Sequence, residues 1–152
     1  MTLRLLDTPA ALQAAVGGEV AVSRWFDIDQ HRIAAFADAT DDHQWIHLDA
    51  DRAARESPYG GTVAHGFLTL ALLPAMLASC VSLGAARLTV NYGVNKVRFP
   101  AAVPAGSRIR GRFGVVSAEP LADCLQVVWQ VTMESEAGGK PVCVAEFVMR
   151  RY

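Results

Sequence analysis

One stretch limits the fold of this chain more than any other, because residues 66–86 (GFLTLALLPAMLASCVSLGAA) contain no charged side chain. An apolar segment of this length meets the usual requirement for a membrane-spanning helix. However, Pro74 interrupts the segment, small residues occupy its end, and Arg87 follows without an aromatic belt. Most of the remaining chain has strand character and would lack hydrogen-bond partners in lipid. We therefore predict a helix of about five turns that is buried on all sides inside a sheet.

The second half of the chain shows the two-residue periodicity of β-strands. Residues 86–100 predict one long strand, with Pro100 and Pro104 in the turn that follows. The next strand places three arginines on one face and apolar side chains on the other: Arg108, Arg110 and Arg112 against Ile109, Phe113 and Val115. Residues 124–135 alternate in the same way, and residues 140–152 predict a last strand.

The first half of the chain adds helices to these strands. Its predicted elements are a helix capped by Thr8, a strand from Glu19 to Ile28, a helix capped by Asp29, and a short helix to Ala54 capped by Asp49 or Asp51. Segregated helices beside consecutive strands indicate an α+β fold with an antiparallel sheet. A sheet wrapped around one long apolar helix is the hot-dog arrangement. Because no linker or repeat divides the chain, we predict one domain over residues 1–152.

Composition and charge narrow the functional classes. Hydrophobic residues make up 52% of the chain and charged residues 19%, which indicates extra burial at a subunit interface. The formal net charge of −1 gives no indication of nucleic acid or of an anionic membrane as a partner. Cys80, Cys124 and Cys143 are widely spaced in apolar segments, which predicts buried free thiols in a reducing compartment. The N-terminus has no signal-peptide pattern, so we expect a cytoplasmic protein.

The polar stretch ATDDHQWIHLDADRAA allows two kinds of chemistry. His43 and His47 have the four-residue spacing of the zinc-protease signature H-E-x-x-H. Gln44 replaces the glutamate of that signature, the preceding residues disfavour a helix, and no third ligand has convincing metal-site spacing. We therefore predict no metal site at this pair. Alternatively, Asp42 and His47 can hold one water molecule and move its protons, unless they form only a solvated turn.

A second segment decides between these interpretations. FADATDDHQWIHLD, followed by VAHG at residues 63–66, resembles the MaoC-like dehydratase family of (R)-specific enoyl-CoA hydratases, which have a hot-dog fold. The residues that match the family signature F-x-x-x-[ST]-G-D-x-N-P-[IL]-H-x-D in register are Phe36, Thr40, Asp42, Ile46, His47 and Asp49. Asp41 replaces the signature glycine, and Gln44 and Trp45 replace its Asn-Pro. This form resembles a subgroup that includes nodulation protein N-like proteins.

The resemblance implies a hydro-lyase that adds water to trans-2-enoyl thioesters and forms (R)-3-hydroxyacyl thioesters by syn addition. Asp42 and His47 would hold and activate the water. The backbone N–H of Gly66 would stabilise the thioester oxygen, and His65 would have a structural role beside the substrate. The resemblance implies no cofactor and no metal, since coenzyme A enters as part of the substrate.

Other residues are candidates for substrate contact. Phe67, with Leu70 and Leu73, would supply an apolar slot for the acyl chain unless these side chains are plain core. Arg98 is a candidate for the phosphates of coenzyme A. The arginine stripe at residues 108, 110 and 112 is either a second candidate or a solvated strand face. The resemblance also implies a role in fatty acid metabolism and a homodimer or higher oligomer.

Two further functions remain open at this point. A hot-dog acyl-CoA thioesterase would hydrolyse the same thioester and often places its carboxylate on the central helix. Residues 66–86 contain neither Asp nor Glu, which counts against that function. A non-catalytic acyl-thioester-binding subunit would keep the fold without the chemistry, and coenzyme A or acyl carrier protein could be the acyl carrier.

Overall fold

The chain forms eight strands and six helices over residues 3–152, which the computed structural model describes. The strands are β1 (Arg4–Leu5), β2 (Glu19–Val22), β3 (Phe26–Ile28), β4 (Val81–Ser82), β5 (Thr89–Arg98), β6 (Ser107–Pro120), β7 (Leu125–Ser135) and β8 (Cys143–Arg151). The helices are α1 (Pro9–Ala14), α2 (Gln30–Thr40), α3 (Trp45–Leu48), α4 (Ala50–Glu56), α5 (Gly66–Ala71) and α6 (Leu73–Ala78).

A six-stranded antiparallel sheet contains the four long strands of the second half. Its order is β2-β6-β7-β8-β5, and β3 also pairs with β6. The single strand predicted from Glu19 to Ile28 is wrong, since β2 and β3 are separate. Ser23 causes the break: its backbone N–H donates to the Gly111 oxygen, and its Oγ accepts from the Gly111 N–H. A side-chain hydrogen bond thus replaces a backbone ladder bond between the two short strands.

The prediction of one five-turn helix is also wrong, because the observed helices are shorter. The apolar segment forms α5 and α6, which meet at Leu72. Pro74 lies in the first turn of α6, where a backbone N–H would have no helical partner in any case. In the middle of one continuous helix, the same proline would remove a backbone hydrogen bond and clash with the preceding turn. After Ala78 the chain leaves the helix, and β4 pairs in parallel with β1. Across residues 3–152, no helix is long and apolar enough to span a membrane.

The hot-dog arrangement is confirmed by the packing of these two helices against the sheet. Leu73, Met76 and Leu77 of α6 are buried in the same core as the inward side chains of the sheet. The strand alternation is confirmed, because the following predicted inward residues are buried: Ile109, Phe113, Val115, Leu125, Val127, Trp129, Val131 and Met133. The ring of Trp129 meets that of Phe113 edge to face, with the ring centroids 6.5 Å apart.

The three cysteines are free thiols, as predicted, but they differ in burial. Cys80 and Cys143 are buried, and burial raises the pKa of each thiol to about 11. Cys124 is only partly buried, because it lies in the turn between β6 and β7 rather than inside a strand. The prediction of burial is therefore wrong for Cys124.

Candidate active site

The C-terminal end of α2 sets the position of the acidic stretch. Asp29 caps the helix as predicted, and its side chain accepts the N–H of Arg32 at 2.8 Å. The helix ends at Thr40, and Asp41 follows with a φ of 57°. This left-handed conformation favours glycine, which explains the glycine of the family signature at this position. Asp tolerates it better than most residues, so the turn that presents Asp42 is preserved.

His43 lies outside the site. Its Nε2 donates to the carboxylate of Asp38 at 2.9 Å, and both side chains are exposed. His43 precedes α3, so it shares no helix face with His47, and the zinc-protease spacing has no structural counterpart here. Asp49, rather than Asp51, caps the next helix and accepts the N–H of Arg52 at 2.9 Å.

Trp45 packs away from the site. The Arg52 guanidinium lies 4.3 Å above the centroid of its ring. Trp45, the second of the two residues that replace the family Asn-Pro, therefore connects α3 to α4.

His47 is held by two backbone contacts in a fixed orientation. Its Nδ1 lies 2.6 Å from the main-chain oxygen of Val63, which can only accept a hydrogen bond. Nδ1 therefore carries the proton, and Nε2 has a free lone pair in the neutral ring. Burial lowers the pKa of His47, so the neutral form is favoured. Gln30 at the start of α2 donates to the His47 oxygen at 2.7 Å and fixes the backbone of α3.

Asp42 and His65 complete a cluster with His47. His65 Nε2 donates to the Asp42 main-chain oxygen at 2.9 Å and lies 4.0 Å from Asp42 Oδ2. The rings of His65 and His47 stack with their centroids 3.7 Å apart. His65 is 3% exposed, whereas the Asp42 side chain is 56% exposed and reaches solvent. We call these three residues the Asp42–His47–His65 cluster.

The cluster has the spacing of a metal site but lacks its ligand directions. One ligand atom from each of its three residues lies within 4.8 Å of the others. The two imidazole rings stack with their planes only 23° apart, so their lone pairs lie in two nearly parallel planes, which is unfavourable for binding one ion. His47 Nδ1 and His65 Nε2 are also occupied by main-chain oxygens. The arrangement favours acid–base chemistry at Asp42 and His47.

A cavity of about 220 Å³ opens beside His47. Its other lining residues are mostly apolar: Ile46, Tyr59, Val63, Ala64, Gly66, Thr69, Phe99, Ala101, Ala102, Val103 and Val142. No periodic pattern points to Tyr59 or Phe99, because both lie in loops. Thr69 and Val142 were also missed, since their inward direction depends on how α5 meets the sheet.

Gly66 is the first residue of α5, where the backbone N–H has no partner within the helix. A Cβ at this position would lie 2.9 Å from Phe99 Cδ2. Glycine therefore allows the ring of Phe99 and the helix start to line the same cavity.

The apolar slot predicted from one helix face is not assembled in that form. Phe67 is 70% exposed and meets Phe99 edge to face, with the ring centroids 6.2 Å apart. Leu73 is 2% exposed and belongs to the core. Neither residue lines the cavity beside His47.

The arginine stripe is already neutralised. Each of its members forms an ion pair with glutamate: Arg108 with Glu136, Arg110 with Glu134, and Arg112 with Glu19 and Glu134. The solvated-face interpretation of the stripe is therefore favoured. Arg98 is exposed, forms no ion pair with any residue of the described range, and precedes Phe99 at the cavity.

A larger cavity lies elsewhere. A groove of about 660 Å³ runs beside β2, β6 and β7, lined by Gly17, Gly18, Glu19, Arg112, Phe113, Gly114, Val115, Val116, Gln130 and Thr132. Its charged lining residues, Glu19 and Arg112, are paired with each other at 2.8 Å. Among the residues that the structure describes, no acid–base group resembling the Asp42–His47–His65 cluster lines this groove. The smaller cavity is therefore the candidate active site.

Several known proteins are similar to this chain in sequence or in fold. A family model described as "MaoC like domain" matches residues 11–137. The 3-hydroxyacyl-thioester dehydratase Z of Mycobacterium tuberculosis is 47% identical over 149 residues, which cover 97% of this chain and 98% of that protein. Nodulation protein N of Rhizobium leguminosarum bv. viciae is 43% identical over 148 residues, which cover 96% and 89%. An unliganded R-hydratase from Pseudomonas aeruginosa superposes with a TM-score of 0.75 at 26% identity, covering 94% of this chain and 84% of that one.

Proposed function

The chain belongs to the family of proteins with a MaoC-like domain, and we propose that it adds water reversibly to trans-2-enoyl thioesters. It is a hydro-lyase of the dehydratase and hydratase class. One observation carries the finer proposal: a ring nitrogen of His47 lies within 4.8 Å of a carboxylate oxygen of Asp42, and His47 lines the same cavity as Gly66.

The proposed reaction uses Asp42 and His47 on one water molecule. Nε2 of His47 takes a proton from the water while the carboxylate of Asp42 orients it. The oxygen forms a bond with C3 of the enoyl group, and the electron pair of the double bond moves to the thioester as an enolate. C2 then takes a proton from the same pair of side chains. Water and proton thus add to the same face of the double bond, and the resemblance to (R)-specific hydratases supports the (R)-3-hydroxyacyl thioester as the product.

Gly66 is proposed to stabilise the enolate oxygen. Its N–H is one of the donors that the start of α5 leaves without a helical partner, and it lies at the cavity wall. A donor fixed in the backbone stabilises developing charge without reorganisation during the reaction. This role rests on the single N–H and needs no contribution from the short helix as a whole.

The substrate is proposed to be a 3-hydroxyacyl or enoyl thioester of coenzyme A. The apolar lining of the cavity suits an acyl group, and the exposed guanidinium of Arg98 suits a phosphate near the entrance. The proposed reaction requires neither a metal nor a further cofactor. His65 and Phe67 are assigned places beside this path: His65 behind the acid–base pair, and Phe67 at the exposed rim with Phe99.

We further propose a homodimer that functions in cytoplasmic fatty acid metabolism. β5 is the edge strand of the six-stranded sheet and pairs with β8 on one side. Several apolar side chains on or beside it are exposed: Leu88, Tyr92, Val94 and Phe99. Pairing of β5 with a second copy would extend the sheet and bury these side chains. Light scattering tests the dimer, with an expected mass of twice 16.3 kDa.

An assay with trans-2-enoyl-CoA esters of several acyl lengths and chiral analysis of the product tests the activity. Wild-type protein should form the (R)-alcohol, and Asp42→Asn or His47→Gln should lose at least ~100-fold in kcat. Release of free coenzyme A would instead indicate a thioesterase. Unchanged binding of the ester without turnover in any of the three proteins would indicate a non-catalytic subunit and overturn the proposal.

A further inference from the structure

We propose that His65 is a positioning residue that holds the main chain of Asp42 and the ring of His47 in the geometry their shared water requires. The inference deepens the proposed function and rests on it. His65 does not line the cavity beside His47. It acts through Asp42 and His47.

The first support is the polarity of a buried side chain. His65 is 3% exposed, and its Nε2 donates to the Asp42 oxygen at 2.9 Å. Because a carbonyl only accepts, Nε2 carries the proton and the neutral ring leaves Nδ1 bare. Within residues 3–152, Nδ1 has no hydrogen-bond partner and is buried. An unpaired buried acceptor is destabilising, and an apolar side chain at this position would avoid that cost. The chain tolerates this cost, which indicates that the Nε2–H donor is needed.

The second supporting observation is the packing of two aromatic rings against His65. His65 lies between two rings: His47 at a centroid distance of 3.7 Å and Phe36 at 5.1 Å. Val63 fixes His47 at Nδ1 within the ring plane, and His65 restricts rotation of the ring out of that plane. Together the two contacts restrict rotation of the His47 ring beside Asp42.

The third support is electrostatic. Burial is the main reason that the pKa of His47 is lowered, and His65 lowers it further, whereas the Val63 oxygen and Asp42 raise it. Asp42 and His65 are thus the two ionisable groups that act on the His47 ring. Two imidazoles in van der Waals contact cannot both carry a proton without strong repulsion. His65 therefore helps to keep His47 available as a base.

Two variants separate the parts of this role. His65→Phe keeps a flat ring for the stack but removes the donor to Asp42. His65→Gln keeps an N–H donor but removes the ring. We expect His65→Phe to lower kcat by about tenfold to a hundredfold with a smaller change in KM, because misplaced groups lose orientation rather than binding. His65→Gln should recover much of that loss, a rescue that a purely space-filling role would not produce.

The pH dependence supplies a readout that does not depend on turnover. The pKa of His47, followed by NMR of its ring nitrogens, should rise in His65→Gln because a neighbouring imidazole is gone. It should fall in the matched control Asp42→Asn, because a carboxylate is gone. The same shift should move the acid limb of kcat/KM to higher pH in His65→Gln.

The outcomes distinguish this inference from the proposed function. Wild-type turnover with loss in Asp42→Asn, but wild-type kcat in His65→Phe and an unmoved His47 pKa in His65→Gln, would overturn the role of His65 alone. Absence of turnover in wild-type protein would overturn the proposed function, and the NMR titration would still decide whether His65 sets the His47 pKa. If His65→Phe fails to fold, His65→Gln and its titration decide.

Discussion

His47 Nδ1 donates to the main-chain oxygen of Val63, 2.6 Å away, and so joins two motifs that lie 16 residues apart. The backbone repeats the connection, since Val63 N–H donates to the Ile46 oxygen at 3.1 Å. The DDHQWIH and VAHG segments are therefore one unit. The first supplies the proposed acid–base pair, and the second fixes the tautomer of His47 and presents Gly66 to the same cavity.

This hydrogen bond leads to a prediction about pH. The pKa of His47 lies below its ordinary value of 6.5, chiefly because of burial, and its neutral form is the proposed base. kcat/KM should therefore stay constant as pH falls to 6.5 and decrease only below it. In the same window the unfolded chain binds the proton and the folded chain does not, so folding stability should also decrease as pH falls. Rate profiles and thermal unfolding across this range measure the two effects.

His43→Gln is the matched control for this prediction. Contact with Asp38 raises the pKa of His43, and its ring is exposed outside the cavity. Replacement of His43 should not change the pH at which kcat/KM decreases on the acid side. An acid limb centred above pH 6.5 in wild-type protein, or one that moves in His43→Gln, would contradict the assignment of His47 as the base.

Gly66→Ala should impair catalysis by a steric clash rather than by loss of the N–H. The new Cβ would lie 2.9 Å from Phe99 Cδ2, so the ring or the helix start must shift. We expect kcat/KM to decrease by at least about tenfold, since small displacements in an active site have large effects. Steady-state kinetics of Gly66→Ala and of Gly66→Ala combined with Phe99→Leu measure this.

The double variant decides the cause. Leu is smaller and more flexible than Phe, so it can yield to the new Cβ, and the backbone N–H at position 66 is retained. Recovery of activity would indicate that this position needs an N–H donor with room beside it. Equal loss in both variants would indicate that the Phe99 contact is unimportant and that the cavity wall is formed differently in solution.

Arg98→Gln should weaken binding of coenzyme A esters selectively. The Arg98 guanidinium donates to the Val97 oxygen and forms no ion pair with any residue from 3 to 152, so it is available for phosphate. Loss of one charge-assisted contact is worth roughly 1.5 kcal/mol, or about tenfold in KM. The KM for an enoyl-CoA should increase, while the KM for the matching enoyl-pantetheine ester, which lacks the nucleotide phosphates, should not.

Arg108→Gln is the matched control, because it removes the same charge from the stripe. Arg108 is paired with Glu136 at 2.7 Å, so it has no free charge for a phosphate. Its KM for either ester should remain near the wild-type value. An equal increase for both variants would show that net charge, rather than a contact at Arg98, governs binding.

Much of the fold followed from patterning, because β6 and β7 each expose one face and bury the other. The periodicity of β6 and β7 predicted their buried residues, from Ile109 to Met133. The central helix was less accessible to such reasoning. Its apolar composition is the same on all sides, so the pattern contains no signal for the end at Ala78 or for the pairing of β4 with β1.

The residues of the candidate site also include some that the sequence predicted and others that it did not. Asp42, His47 and Gly66 were predicted from the resemblance to the family motifs, because their spacing alone also allowed a solvated turn. The roles of Gln30 and Phe99 depend on contacts between distant segments, which spacing does not encode. The ion pairing of the arginine stripe likewise depends on which glutamates lie opposite it in the sheet.

Asp41→Gly should stabilise the protein without changing its activity. Asp41 has a φ of 57°, and the left-handed region costs an L-residue roughly 1–2 kcal/mol, which is less for Asp and absent for glycine. Because glycine also gains freedom in the unfolded chain, we expect a net gain of about 0.5–1 kcal/mol, measured by urea unfolding. Asp51→Gly removes the same charge from the first turn of α4, where the backbone is helical, and should destabilise by a similar amount. Destabilisation by Asp41→Gly would show instead that the aspartate side chain supports the turn and that the signature glycine is not a simple requirement of backbone conformation.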